Sequence, residues 1–233
     1  MKNLVFSTLL ILFSGSCFSQ AFIAAVDHIP MNTETIVFTT DGNEITGKVR
    51  AAGFTNGFLN IIRVKDENET IHKLKAEDIK MIKVKAGLLS KLDMIADKTS
   101  SIKEIMNTDF EEIIERDWIF FHQVTSPKKH QKPLLLQQQN PGFDSKLKVY
   151  NNPSAQETGT FSLGETTISG GEDRSYIAVF ADGASFYIRK AKYEKTMQEY
   201  LGGCDQFMKE FGDKKLKFKD IALHIYYYDI ACQ

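Results

Sequence analysis

The chain of 233 residues is 42% hydrophobic and 25% charged, a composition of folded globular proteins that excludes disorder along most of its length. At that length it holds one large or two small domains, each able to bury a core. Lys and Arg number 29 against 30 Asp and Glu, so no overall positive field draws in a polyanion, and nucleic acid is not expected as a partner.

Residues 1–19 read as a bacterial signal peptide. Lys2 gives the positive start, Leu4 to Phe13 an apolar run broken only by Ser7 and Thr8, and Ser14 to Ser19 a mostly small, polar end. The run is too short to span a membrane, and small residues at Cys17 and Ser19 suit cleavage before Gln20. The expected location is therefore outside the cytoplasm, periplasmic or extracellular. Ser14-Gly15-Ser16-Cys17 also fits part of a lipoprotein signal, with Cys17 as the lipidated residue, although Ser14 stands where such signals carry leucine. No later stretch approaches ~18 uninterrupted apolar residues, so no transmembrane helix is expected in the mature chain.

Residues 31–87 alternate short apolar strands with tight turns. Thr35 to Thr40 comes first, and Asp41-Gly42 is a turn pair suited to positive φ. Glu44 to Arg50 follows with Ile45 and Val49 on one face, then Phe58 to Lys65, closed by the polar run Asp66 to Glu69. Thr70 to Lys75 and Ile79 to Val84 complete the set. Five such strands close most economically into a small barrel, which leaves no exposed edge. The order of strand, Asp41-Gly42, strand with Gly47, long third strand and final Ile79/Ile82/Val84 strand resembles the SH3-like and Sm-like small barrels. The Sm-like resemblance implies a ring that binds RNA. The exported N-terminus and the lack of a distinctive basic or aromatic loop on these strands argue against that role.

Residues 88–116 read as a helical connector. Ser101 to Glu104 and Thr108 to Glu111 are each a capping box. Ile102, Ile105, Met106, Ile113 and Ile114 recur at roughly helical spacing. The acids Glu111, Glu112, Glu115 and Asp117 read as a solvated helix face, since nothing places a paired acid opposite them for catalysis.

Residues 117–233 read as an antiparallel β domain with two C-terminal helices, which makes the whole chain α+β. WIFFHQV (118–124) and PLLLQQQ (133–139) flank a polar loop as a hairpin, and KLKVY (146–150) follows the turn Asn140-Pro141-Gly142. SYIAVF (175–180) and SFYIRK (185–190) form a second hairpin about Asp182-Gly183. Tyr193, Met197, Leu201, Cys204, Met208 and Phe211 recur at helical spacing, with Gly212 placed to stop the helix. Phe218, Ile221, Ile225, Tyr228 and Cys232 do the same in the last segment. Gly202-Gly203 inside the first helix costs about 2 kcal/mol relative to two alanines, which points to a break or a close packing contact.

With the signal removed, Cys204 and Cys232 are the remaining thiols, and in an oxidising compartment they are a candidate disulfide. In a straight antiparallel helix pair they would lie more than ~10 Å apart, so the bond requires a helix break, for which Gly202-Gly203 and the chain terminus are the candidates. The competing reading makes Cys204 a nucleophile with His224 as its base, although no orienting Asn or Asp is evident. The five histidines (His28, His72, His122, His130, His224) show no metal spacing, and neither a metal nor a cofactor is expected. Gly170-Gly171 sits beside Glu172-Asp173, which would repel phosphate. Lys128, Lys129, His130 and Lys132 form a small basic hairpin tip. Tyr226, Tyr227 and Tyr228 cannot all face one core at ~100° per residue, and Tyr226 and Tyr227 are the candidates for stacking on a sugar.

Phe18-Ser19-Gln20, Asn140 to Phe143, Leu147 to Tyr150, Gly170-Gly171 with Ser175-Tyr176, and Cys204 together make the chain resemble secreted proteins of unknown function from Bacteroidota. That resemblance implies no activity. The expectation is an exported, non-catalytic binding or structural protein of the cell envelope with a protein or glycan partner. The alternative is an exported hydrolase or a Cys204-dependent enzyme.

Overall fold

The computed structural model describes residues 22–23, 25–87, 117–127, 132–154, 161–163, 166–168 and 175–232. The signal at 1–19 with Cys17, the connector at 88–116, the basic residues 128–130 and the glycine pair at 170–171 lie outside the described residues.

One antiparallel sheet is built from β1 (Glu34–Thr39), β2 (Glu44–Thr55), β3 (Phe58–Asp66), β4 (Ile71–Lys75), β5 (Ile79–Lys85), β6 (Trp118–Val124) and β7 (Leu134–Gln137), in the order β4-β3-β2-β1-β5-β6-β7. Period-two alternation decides its inner face. Val37, Val49, Leu59, Ile62, Val64, Ile79, Ile82 and Ile119 are buried together, while their sequence neighbours point outward. The β1–β2 turn forms where Asp41-Gly42 predicts it: Gly42 takes φ 91°, and the Asn43 amide nitrogens donate to Thr39 Oγ1 at 3.0 Å and to the Asp41 carboxylate at 2.8 Å. Gly47 is required by close approach, because a Cβ there would stand 2.2 Å from the Lys65 carbonyl oxygen on β3.

The barrel expected of residues 31–87 is not closed. Among the described residues no ladder joins β4 to β5, because the second edge of β5 is taken by β6, from Met81↔His122 to Lys85↔Trp118, and β6 in turn pairs with β7. An edge already paired cannot close onto another strand. The sheet nonetheless curls. Register shifts at Val49/Ala51 and Gly53/Phe54 bend β2, β7 comes back against β3, and the Gln123 amide donates to the carbonyls of Ala76 and Glu77 at 3.3 and 3.1 Å.

The second sheet has the order β12-β11-β8, from β8 (Leu147–Asn151), β11 (Ser175–Phe180) and β12 (Ser185–Arg189), and β9 (Phe161–Leu163) pairs with β10 (Thr166–Ile168) as a separate two-stranded ribbon. Three helices follow: α1 (Tyr193–Leu201), α2 (Asp205–Phe211) and α3 (Ile221–Ala231). The first of the two expected helices is split at Gly202-Gly203, and Cys204 begins the next one, its sulfur accepting from the Phe207 amide at 3.4 Å. Leu147, Val149, Ala178 and Ile188 of the sheet pack with Met197, Leu201, Phe207 and Ile225 of the helices in one core. Phe22, close to the predicted cleavage point, enters the same core edge-on to Tyr176 at 5.2 Å. The class is α+β.

The two sheets are joined by the polar run Gln137 to Asn140, and all four residues are buried. Gln138 N donates to the Phe120 carbonyl of the first sheet at 2.9 Å, and Gln139 N to the Val149 carbonyl of the second at 2.7 Å. Asn140, fully buried, donates through Nδ2 to the carbonyls of Phe143 and Leu147, both at 2.8 Å, and accepts from Val149 N at 2.7 Å. Burial of these amides is tolerated because partners replace the water they lose. Val124 and Leu136 of the first sheet close the joint against Tyr150 and Ile177 of the second.

Candidate functional site

Cys204 and Cys232 are brought together at disulfide distance, 1.94 Å between sulfurs and 5.7 Å between Cα atoms. The break at Gly202-Gly203 makes this possible by setting Cys204 at the start of α2, while Cys232 follows the last residue of α3. His224 is occupied elsewhere: its Nδ1 and the Tyr193 hydroxyl lie 2.6 Å apart, and the ring stacks on Tyr193 and meets Phe211 edge-on at 4.8 Å. Burial holds the imidazole below the usual histidine range and pushes the Tyr193 phenol well above the tyrosine range.

The three tyrosines are half-buried against the same core. Tyr226 meets Phe143 edge-on at 5.8 Å, Tyr227 meets Phe211 at 5.2 Å, and Tyr228 meets Phe207 and Phe180 at 6.4 and 6.3 Å. Consecutive helical positions find partners because α3 lies among three different neighbours: the loop at Phe143, α2, and the end of β11.

His122 lies at the joint between the sheets, edge-on to Tyr150 at 5.8 Å. Burial, with the Lys148 ammonium assisting, lowers its pKa to about 4. Asp144 nearby accepts from Gln138 at 2.7 Å and from Lys148 at 2.8 Å. His28 and His72 pair with Asp27 and Asp66 at 2.7 and 2.8 Å. Among the described residues no group of three His, Cys, Asp or Glu side chains gathers to hold a metal.

Two concavities contrast in charge. One, of about 530 Å³, lies over β1 to β3 with Trp118 in its lining. Its charges are largely satisfied within the protein: Glu34 pairs with Lys85 at 2.8 Å, Lys65 with Glu69, and Arg50 donates to Asn32 at 3.2 Å. The Lys85 ammonium accordingly holds the Glu34 carboxyl below its ordinary range.

The other is a groove of about 760 Å³ between the 3-10 turn Lys190–Lys192, the start of α1, and residues 215–219. Lys190, Lys192, Lys195, Lys215, Lys217 and Lys219 line it, all exposed, and Glu194 is the one acid among the lining residues. Among the described residues none of these six ammonium groups is in an ion pair. The arrangement follows from local alternation. Buried Leu216 sits between exposed Lys215 and Lys217, and half-buried Phe218 between Lys217 and Lys219, so apolar side chains anchor the segment and lysines face outward. Phe218 meets Tyr193 edge-on at 5.4 Å and stacks on Tyr176 at 6.0 Å, which ties the groove floor to the core. Sequence reasoning missed this site. Its signal was the alternation Lys215-Leu216-Lys217-Phe218-Lys219, hidden by a balanced net charge of −1.

Compared with protein-family models, curated proteins and solved structures, the chain matches none of them.

Proposed function

We propose that the protein is exported and works in the cell envelope, periplasmic or extracellular, by binding or structural contact and not by catalysis. The observation that carries this reading is the pairing of Cys204 with Cys232 at disulfide distance, since such bonds persist in oxidising compartments and are rare in the cytosol. The signal-like residues 1–19 support it independently. The same pairing weighs against Cys204-dependent chemistry, because a sulfur held in a disulfide is no thiolate nucleophile, and His224 is directed to Tyr193. The partner in this reading is a protein or glycan of the envelope, with no nucleic acid. Tyr226 and Tyr227, both half-buried, are the candidates for contact with a glycan.

Within this reading, residues 31–87 are an opened relative of the SH3-like small barrel. The strand order β4-β3-β2-β1-β5, the bends in β2 and the return of β7 against β3 support it. An experimental structure showing a flat sheet with β3 and β7 apart would remove this part.

Fractionation of cells expressing the full chain tests export. The expected product lacks the first 19 residues and is found in the periplasm or medium. A product beginning at Cys17 and held at the membrane would make it a lipoprotein of the same compartment. A full-length cytosolic product overturns the proposal, and thiol-dependent hydrolase activity lost in Cys204→Ser would favour the enzyme.

A further inference from the structure

The geometry points to the lysine-lined groove as a binding site for a multiply phosphorylated ligand, an inference that stands on the groove alone and not on export. Six lysines less Glu194 leave an excess of five positive charges among the lining residues, with the Asp220 carboxylate near enough to act on Tyr193 at its edge. Like charges gathered in a cleft repel one another and raise the local potential, which draws in and concentrates anions. In the concavity over β1 to β3 neighbouring charges pair, as at Glu34–Lys85 and Lys65–Glu69; here, among the described residues, the lysines make no ion pair.

The cation type suits such a ligand. Each lysine ammonium is a compact point charge on a rotatable stem, able to meet the oxygens of a phosphate from several directions, while the arginine fork serves carboxylate and phosphate alike. The neighbouring arginine, Arg189, is directed elsewhere, with its guanidinium over the Tyr187 ring at 5.0 Å. A phosphomonoester carries roughly −1.5 to −2 at neutral pH, so about three neutralise the groove, whereas each phosphodiester of a lipid headgroup brings a single charge. The volume of about 760 Å³ lies inside the usual range of small-ligand sites, roughly 300–1,000 Å³. Leu216 and Phe218 supply an apolar floor for the carbon frame that carries the phosphates. That chemistry comes either from a soluble polyphosphate compound or from a phosphorylated lipid headgroup.

The test uses the oxidised mature protein with two probes, inorganic tripolyphosphate by calorimetry and sedimentation with phosphatidylcholine vesicles containing cardiolipin. The groove variant carries Lys192→Gln, Lys215→Gln, Lys217→Gln and Lys219→Gln. A control carries Lys73→Gln and Lys80→Gln, exposed lysines of the first sheet. All are exposed side chains whose removal leaves the core intact. The expected result is that wild type and control bind at least one probe while the groove variant binds it tenfold or more weakly, with citrate tenfold or more weaker than tripolyphosphate. Binding of tripolyphosphate alone identifies a soluble ligand, and groove-dependent vesicle binding a headgroup. Failure of wild type to bind either probe, equal binding by the groove variant, or equal affinity for citrate overturns the inference.

Discussion

The Tyr193 hydroxyl and His224 Nδ1 are 2.6 Å apart inside the C-terminal core, and Tyr193 also lines the lysine groove. The pair links α1 to α3 and fixes the groove floor to the helices that the Cys204–Cys232 pairing holds together. Burial favours the neutral form of both groups.

Removing the hydroxyl with Tyr193→Phe leaves a buried imidazole nitrogen without its partner. The expected cost is about 1–3 kcal/mol, read as a lower urea midpoint at unchanged slope. A midpoint equal to wild type would mean that the hydrogen bond contributes nothing net.

His122 makes stability depend on pH. Its folded pKa, about 4, lies below the ordinary 6.5, so the unfolded chain binds more protons between those values. Stability from this residue is complete above about pH 6.5 and is lost as pH falls toward 4, up to about 3 kcal/mol for a shift of this size. His224, also lowered, acts with the same sign. His122→Gln flattens the decline between pH 6.5 and 4.5 in denaturation curves. An undiminished slope in that variant would assign the decline elsewhere.

Asn140→Ala removes three hydrogen bonds from a fully buried site and strands two carbonyls and one amide. The expected loss is about 3–5 kcal/mol. Asn152→Ala, at a half-buried position with a bond to Ser175 Oγ, costs about 1 kcal/mol. Urea denaturation of the two variants side by side checks the ratio.

Opening the Cys204–Cys232 link, across 28 positions of sequence, costs about 3–4 kcal/mol on the chain-entropy relation. A thermal melt with and without reductant, compared with a Cys204→Ala/Cys232→Ala variant, reads this directly. Reductant leaves the double variant unchanged.

Strands were legible in the sequence wherever apolar residues alternate and a turn pair closes them, as at Asp41-Gly42 and Asp182-Gly183. The break at Gly202-Gly203 was legible from glycine's cost in a helix. The pairing of β5 with β6 was not, because the choice of which edge is covered depends on packing between segments distant in sequence. Gln137 to Asn140 read as the end of a strand and a turn, since polarity alone suggests solvent; their burial depends on hydrogen bonds to both sheets. The lysine alternation at 215–219 was present in the sequence, but the groove was not legible from it because turns distant in sequence, at 190–192 and 215–219, contribute to one cleft while acids elsewhere balance the total charge.

Intact mass of the protein recovered from fractionated cells, before and after reduction and alkylation, addresses export and the disulfide together. The predicted species begins at Gln20, takes up no alkyl group until reduced, and takes up two afterwards, at Cys204 and Cys232. A species beginning at Met1 with both thiols alkylated without reduction would contradict export and the disulfide at once.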